Sequence, residues 1–245
     1  MTRIAATTIA SLIALGACAT APADSGPETV TVQRTTPAFT PRQAADSYYV
    51  AAHTAVTARK AERNPATAKN VILFVGDGMG VSSVTAGRIF AGQAKGVDGE
   101  SYRLAMEQLP YSAMVKTYTH DAQVADSAST ATAMMSGSKT LSRTLGLRSG
   151  IAYSNCASVG GQSTDSIFEI AEAAGLSTGI VSTARITHAT PAATYAESAD
   201  RNWEDDNQLG GTDCKDIARQ LIEWPEGDFD IILGGGREKF LPAGT

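Results

Sequence analysis

Chemistry in this chain starts at Asp126-Ser127-Ala128-Ser129-Thr130-Ala131-Thr132-Ala133. A serine follows an acid, and the small residues after it suit a helix that runs on through Met134 and Met135. Ser127 then falls at a helix start, where free backbone N–H groups and the positive end of the helix dipole favour an anion. A serine hydroxyl placed there can accept a phosphoryl group. Upstream, Asn70-Val71-Ile72-Leu73-Phe74-Val75-Gly76-Asp77-Gly78-Met79-Gly80 reads as a buried strand that ends in a carboxylate on a glycine loop. The two segments suggest metal-assisted phosphoryl transfer to serine. Each has a plainer reading: Asp126 as a helix cap, and Asp77 as turn chemistry.

Two further segments bear on the choice. Val181-Ser182-Thr183-Ala184-Arg185-Ile186-Thr187-His188-Ala189-Thr190-Pro191-Ala192-Ala193 precedes Ser198-Ala199-Asp200-Arg201-Asn202-Trp203. Arg201 carries a guanidinium fork that can take two non-bridging phosphate oxygens at once. Its plainer role is a salt bridge to Asp200, Asp205 or Asp206, and Asp126 is a further acid able to orient it. Thr190 alone is a Thr-Pro turn opening a helix, and His188 alone an ordinary surface or core histidine. A serine hydroxyl needs a base or a metal to act as a nucleophile, and no Gly-x-Ser-x-Gly elbow is present to suggest an esterase triad.

With these ordered segments the chain resembles the alkaline phosphatase family over about 70–241. The pattern around His188, Thr190 and Arg201 is similar to the animal-type members; the enteric bacterial ones carry aspartate at the position of His188. The resemblance implies a site with two Zn2+ and one Mg2+. Asp77 would link zinc to magnesium, Ser127 would bind zinc, Thr190 would bind magnesium, and His188 would lie near magnesium through water. Ser127 and Arg201 would be catalytic, with Arg201, Ser127 and Asp126 contacting phosphate. The reaction implied is phosphate monoester hydrolysis through a phosphoserine. The resemblance also implies a homodimer and an α/β three-layer sandwich with a largely parallel central sheet. The family's remaining zinc and magnesium ligands match nothing in this chain.

Bulk properties are compatible. The chain has 245 residues, 43% hydrophobic and 18% charged, which fits a globular protein with a real core. A formal charge of −5 argues against a nucleic-acid partner. Residues 1–17 read as a signal peptide: Arg3 supplies the positive start, and the apolar stretch after it is too short to span a bilayer. Leu15-Gly16-Ala17-Cys18 looks like a bacterial lipoprotein site, which would leave a lipidated Cys18 as a membrane anchor in the cell envelope, periplasmic or on the outer membrane. A plain signal peptide is the alternative. Cys156 and Cys214 are then the remaining cysteines; in an exported protein two such residues commonly pair, and their surroundings resemble the halves of an animal-type disulfide. Two free buried thiols is the other reading.

These groups need elements to position them. Residues 18–39 read as a flexible tether and 40–245 as the N-terminal part of the phosphatase domain. A helix is expected from Thr40-Pro41-Arg42-Gln43 to about residue 63, ended by Asn64-Pro65. The apolar run 71–75 predicts a strand buried on both faces, and alternation over 112–119 predicts another. Helices are expected over about 81–90, from Ser127, over 164–174 up to Gly175, and over 213–223 before Pro225. Strands are expected over 178–183 and 229–233, the latter followed by Gly234-Gly235-Gly236. Strands alternating with helices predict an α/β fold with ligands at the carboxyl ends of the strands. No closing element follows Lys239, so the chain reads as part of a longer protein, inactive on its own. The functional alternatives are a non-catalytic phosphate- or metal-binding envelope lipoprotein and a related phosphoryl- or sulfuryl-transfer enzyme.

Overall fold

The computed structural model describes residues 47–61, 67–224 and 229–242. The signal peptide, Cys18, the tether, the Thr40-Pro41 helix start, the Asn64-Pro65 stop and Pro225 lie outside the described residues. The chain divides into two units, Met1–Thr57 and Ala58–Thr245. Helix α1 (Ser47–Ala61) opens in the first unit and falls within the helix expected from the sequence.

In the second unit the helices start where the sequence supplies caps. Helix α2 (Val81–Gln93) follows Gly80. Helix α3 (Ser127–Ser136) begins at Asp126, whose carboxylate accepts from the Ala128 and Ser129 N–H groups, and ends at Gly137 with φ 72°. Helix α4 (Ile167–Ala173) has a capping box, with Ser166 Oγ accepting from the Glu169 N–H and the Glu169 carboxylate accepting from the Ser166 N–H. It is shorter than the 164–174 expected, because Thr164 bonds to the Gly146 carbonyl instead of joining the helix. Strand β1 (Gly179–Arg185) leads to the short helix α5 (Ala189–Ala192). Helix α6 (Ile217–Ile222) is capped by Asp216, so residues 213–215 stay outside it. Strand β2 (Ile231–Gly235) pairs parallel with β1, Gly179 against Ile231 and Val181 against Leu233. Parallel neighbours require a long crossover, and here it carries α5 and α6.

The core is built from small residues packed closely. Ala128, Ala131 and Met135 of α3 meet Ala189 and Ala192 of α5, Ile180 of β1, Leu145 and Ile217. Alanines at the contact let two short helices approach without voids. Fully burying Leu145 and Ile217 contributes about 1.5–3 kcal/mol each. A second cluster gathers Leu147, Ile151, Ala199 and Trp203, with Cys156 and Cys214 packed against it.

Two expected strands are not formed. Residues 71–75 join no ladder, and Val71, Ile72, Leu73 and Phe74 are 62–89% exposed. Residues 112–119 also lie outside any strand. A strand exists only against a partner that takes its hydrogen bonds, and among the described residues neither segment has one. The sheet described is therefore β1–β2 alone.

Cys156 and Cys214 form a disulfide across 58 residues, with Cα atoms 5.6 Å apart. It ties the loop after Tyr153 to the approach to α6. Replacing both cysteines with alanine in the full-length protein is expected to lower the unfolding free energy by about 4 kcal/mol, the chain-entropy value for a loop of this size. Denaturant unfolding measures it; a loss below about 1 kcal/mol would show that the bridge does not constrain the unfolded chain as that model requires.

Candidate active site

Asp77 stands on the turn after the 71–75 run. The Met79 N–H donates to the Gly76 carbonyl at 3.1 Å, and Gly78 takes φ +65°, which favours glycine there. The turn presents both carboxylate oxygens to side chains from distant segments. Ser127 Oγ donates to Asp77 Oδ1 at 3.0 Å, across 50 residues. Thr190 Oγ1 donates to Asp77 Oδ2 at 2.7 Å, across 113 residues. The Thr190 bond, then the Ser127 bond and the nearby His188 and Arg201, outweigh partial burial and hold the Asp77 carboxyl below its ordinary value.

A second knot surrounds Asp126. Its Oδ1 accepts from Ser129 Oγ at 2.8 Å and from the Arg143 N–H at 3.0 Å. Its Oδ2 receives Arg201 Nη1 at 3.0 Å. Burial pushes the Asp126 carboxyl up, but Arg143, Ser129 and Arg201 together bring it below the usual aspartate value. At the head of α3 the Ala128 and Ser129 N–H groups go to the Asp126 carboxylate and the Thr130 N–H to its carbonyl, so most of the donors that the sequence suggested for a bound anion are engaged. The positive charge lining this pocket is the guanidinium of Arg201.

Arg201 is fixed along its length. Its backbone N–H donates to the Arg143 carbonyl at 2.8 Å. Arg143 therefore bonds both Asp126 and Arg201 through its main chain, and it does so at φ 68°, a conformation costing a non-glycine residue about 1–2 kcal/mol. Nothing in the sequence marks an arginine for that role. Arg201 Nη2 lies 3.0 Å from His188 Nε2. Arginine only donates, so Nε2 accepts and the histidine proton sits on Nδ1, which is buried with no partner among the described residues. Burial, then Arg201, lowers the His188 pKa and keeps the ring neutral near pH 7. Arg201 pairs with Asp126 among the acids considered; Asp205 binds Lys239 instead.

His188 caps α5, and its N–H donates to the Arg185 carbonyl at 2.9 Å. That turn sends His188 to Arg201 and Thr190 to Asp77. Asp77, Asp126, Ser127 and Arg201 line an open cavity of about 440 Å³ together with Thr117, Gln123 and Val124. Its volume suits a small ester.

The donor chemistry fits part of a metal site. Asp77, Ser127 and Thr190 bring oxygen donors to one carboxylate, a set suited to hard cations. The Asp77 carboxyl, held below its ordinary value, is a weak base toward the Ser127 hydroxyl. Among the described residues no group of three or more His, Cys, Asp and Glu could hold a metal, so the oxygen donors around Asp77 are a fragment of the donor set a metal site needs.

The alkaline phosphatase family profile matches residues 68–245. The chain belongs to the alkaline phosphatase family. The tissue-nonspecific isozyme of Gallus gallus is 48% identical over 188 residues, covering 74% of this chain and 36% of that protein. The Homo sapiens isozyme is also 48% identical, over 73% of this chain and 35% of its own length. The chain thus spans about a third of the length of these curated relatives. Among solved structures, a cold-active alkaline phosphatase from the psychrophile Shewanella sp. matches with a TM-score of 0.53 and 31% identity, over 69% of this chain and 36% of that one. The parallel β1–β2 pair with its helices is an α/β arrangement consistent with that fold.

Removing one hydroxyl tests the Asp77 knot. Thr190→Val is expected to move the Asp77 carboxyl upward toward its ordinary value, followed by carboxyl NMR titration. Because the folded pKa is depressed, the stabilisation from this group is present above the unfolded value, about pH 4, and is lost as pH falls through the lower folded one. In the variant the loss should still begin near the unfolded value but be smaller and complete at a higher pH. An unmoved titration would contradict the contact.

Proposed function

We propose that the full-length protein hydrolyses phosphate monoesters through a phosphoserine on Ser127. The observation that carries the reading is the pair of hydroxyls, Ser127 and Thr190, on the two oxygens of Asp77, beside an arginine anchored by Asp126. Family membership supports the same chemistry.

In the first step Ser127 Oγ attacks phosphorus, its proton is lost, and the P–O bond to the alcohol breaks. The alcohol leaves with a proton. In the second step water attacks the phosphoserine, the Ser127 O–P bond breaks, and inorganic phosphate departs as Ser127 regains its proton. Arg201 takes non-bridging oxygens in both steps, held in place by Asp126, by the Arg143 carbonyl and by His188. Positioning of this kind supplies much of the catalysis in phosphoryl transfer.

Asp77 and Ser127 would hold a zinc ion, and Asp77 and Thr190, with His188 nearby, would hold a magnesium ion. When bound, such ions lower the hydroxyl pKa and neutralise charge on the attacking and leaving oxygens. A second zinc would draw on ligands outside these residues. The reading extends to a homodimer and to a lipid anchor at Cys18 in the bacterial envelope; the first rests on the family resemblance and the second on Leu15-Gly16-Ala17-Cys18.

The test is turnover of p-nitrophenyl phosphate by the full-length protein loaded with zinc and magnesium. Ser127→Ala is expected to lower kcat by several orders of magnitude. Arg201→Ala should leave some turnover and weaken phosphate inhibition by about 10- to 100-fold, as for a lost charged hydrogen bond. A folded, metal-loaded wild type without turnover would leave a phosphate-binding protein.

A further inference from the structure

Glu204 and Asp205 are consecutive, and both are buried, at 7% and 8% exposure. Each holds its own cation. Lys239 Nζ lies 2.9 Å from Asp205 Oδ2. Arg185 meets Glu204 as a fork, Nε to Oε2 and Nη2 to Oε1, each at 2.7 Å. Thr187 Oγ1, fully buried, donates to Glu204 Oε2 at 2.7 Å.

The two partners of Glu204 bracket one turn. Arg185 ends β1, and Thr187 stands directly before His188. Thr190 follows two residues later. Glu204 itself lies three residues after Arg201. Its own backbone is tied down, since the Ala218 N–H donates to the Glu204 carbonyl at 3.1 Å and the Glu204 N–H donates to Gln208 Oε1 at 3.0 Å. One carboxylate thus binds the segment bearing Arg201 to the turn bearing His188 and Thr190. A buried ion pair is a poor device for stability alone, because desolvation offsets much of its attraction. Three directional bonds to one carboxylate do fix a geometry.

We propose that Glu204 is a positioning residue for the phosphate clamp, locking the 185–190 turn to the Arg201 segment through Arg185 and Thr187. It touches no substrate. It sets where His188 meets Arg201 and where Thr190 meets Asp77. The inference rests on the phosphatase reading above.

Asp205 supplies the control: an equally buried acid in the same segment, ion-paired to Lys239, with no bond to the turn. In the full-length protein, thermal unfolding, inorganic phosphate binding by calorimetry, and the kcat and KM for p-nitrophenyl phosphate are compared. Glu204→Gln and Asp205→Asn are both expected to lower Tm. Glu204→Gln should weaken phosphate binding about 10-fold or more, with a matching rise in KM, because small misplacements of a clamp are costly. Asp205→Asn should change it less than about twofold. Thr187→Val, which removes one bond and keeps the shape, should fall between them at about threefold, and it decides the matter if Glu204→Gln does not fold. Unchanged phosphate binding in folded Glu204→Gln or Thr187→Val would overturn the proposal, as would equal weakening by Asp205→Asn. A wild type that neither binds phosphate nor turns over the ester would instead sink the phosphatase reading, and this one with it.

Discussion

The Asp126 carboxylate is the constraint on which the site depends. It caps α3 and so places Ser127 at the head of that helix. The same two oxygens hold Arg201 and the main chain of Arg143. Half-buried and charged, it is tolerable only because every one of those donors is present. The consequence is electrostatic. Three N–H groups at the helix start bond to Asp126, and on the proposed phosphatase reading the guanidinium of Arg201 supplies the charge that attracts phosphate. Arg201 can serve because one face of its fork is already ordered by Asp126 and the other by a neutral His188.

Around that centre, fixed geometry comes from long-range contacts. Asp77 sits on an exposed turn and is held by two hydroxyls from segments far apart in sequence. The small residues of α3 and α5 allow those segments to approach. Glu204 ties the turn after β1 to the stretch carrying Arg201. The candidate site groups are thus placed by bonds to three carboxylates, Asp77, Asp126 and Glu204, from distant parts of the sequence.

Much of this was legible in the residues. An acid before a serine and a run of small residues gave α3 and its cap, and the helices expected over 164–174 and 213–223 form but start later, at the Ser166 and Asp216 caps. The strands expected over 178–183 and 229–233 form, shifted by one or two residues, as Gly179–Arg185 and Ile231–Gly235. The run at 71–75 is as apolar as either, yet it forms no strand, because composition cannot say whether a neighbour is there to pair with it. The pairing of the Asp77 loop with the Ser127 helix start was suggested by their chemistry and by the family resemblance, since no local rule joins residues 50 apart. Glu204 was invisible for a different reason. The sequence offered Asp205 and Asp206 only as partners for Arg201 and passed over Glu204, and only folding shows Glu204 and Asp205 buried against Arg185 and Lys239.

The central claim is that Ser127 becomes covalently phosphorylated. Its most direct test is an acid quench of the full-length, metal-loaded protein during turnover of p-nitrophenyl phosphate, followed by mass spectrometry of its peptides. The account predicts a phosphate on the peptide containing Ser127, absent when the ester is omitted. Turnover with no phosphopeptide, or with the phosphate on another residue, would contradict it.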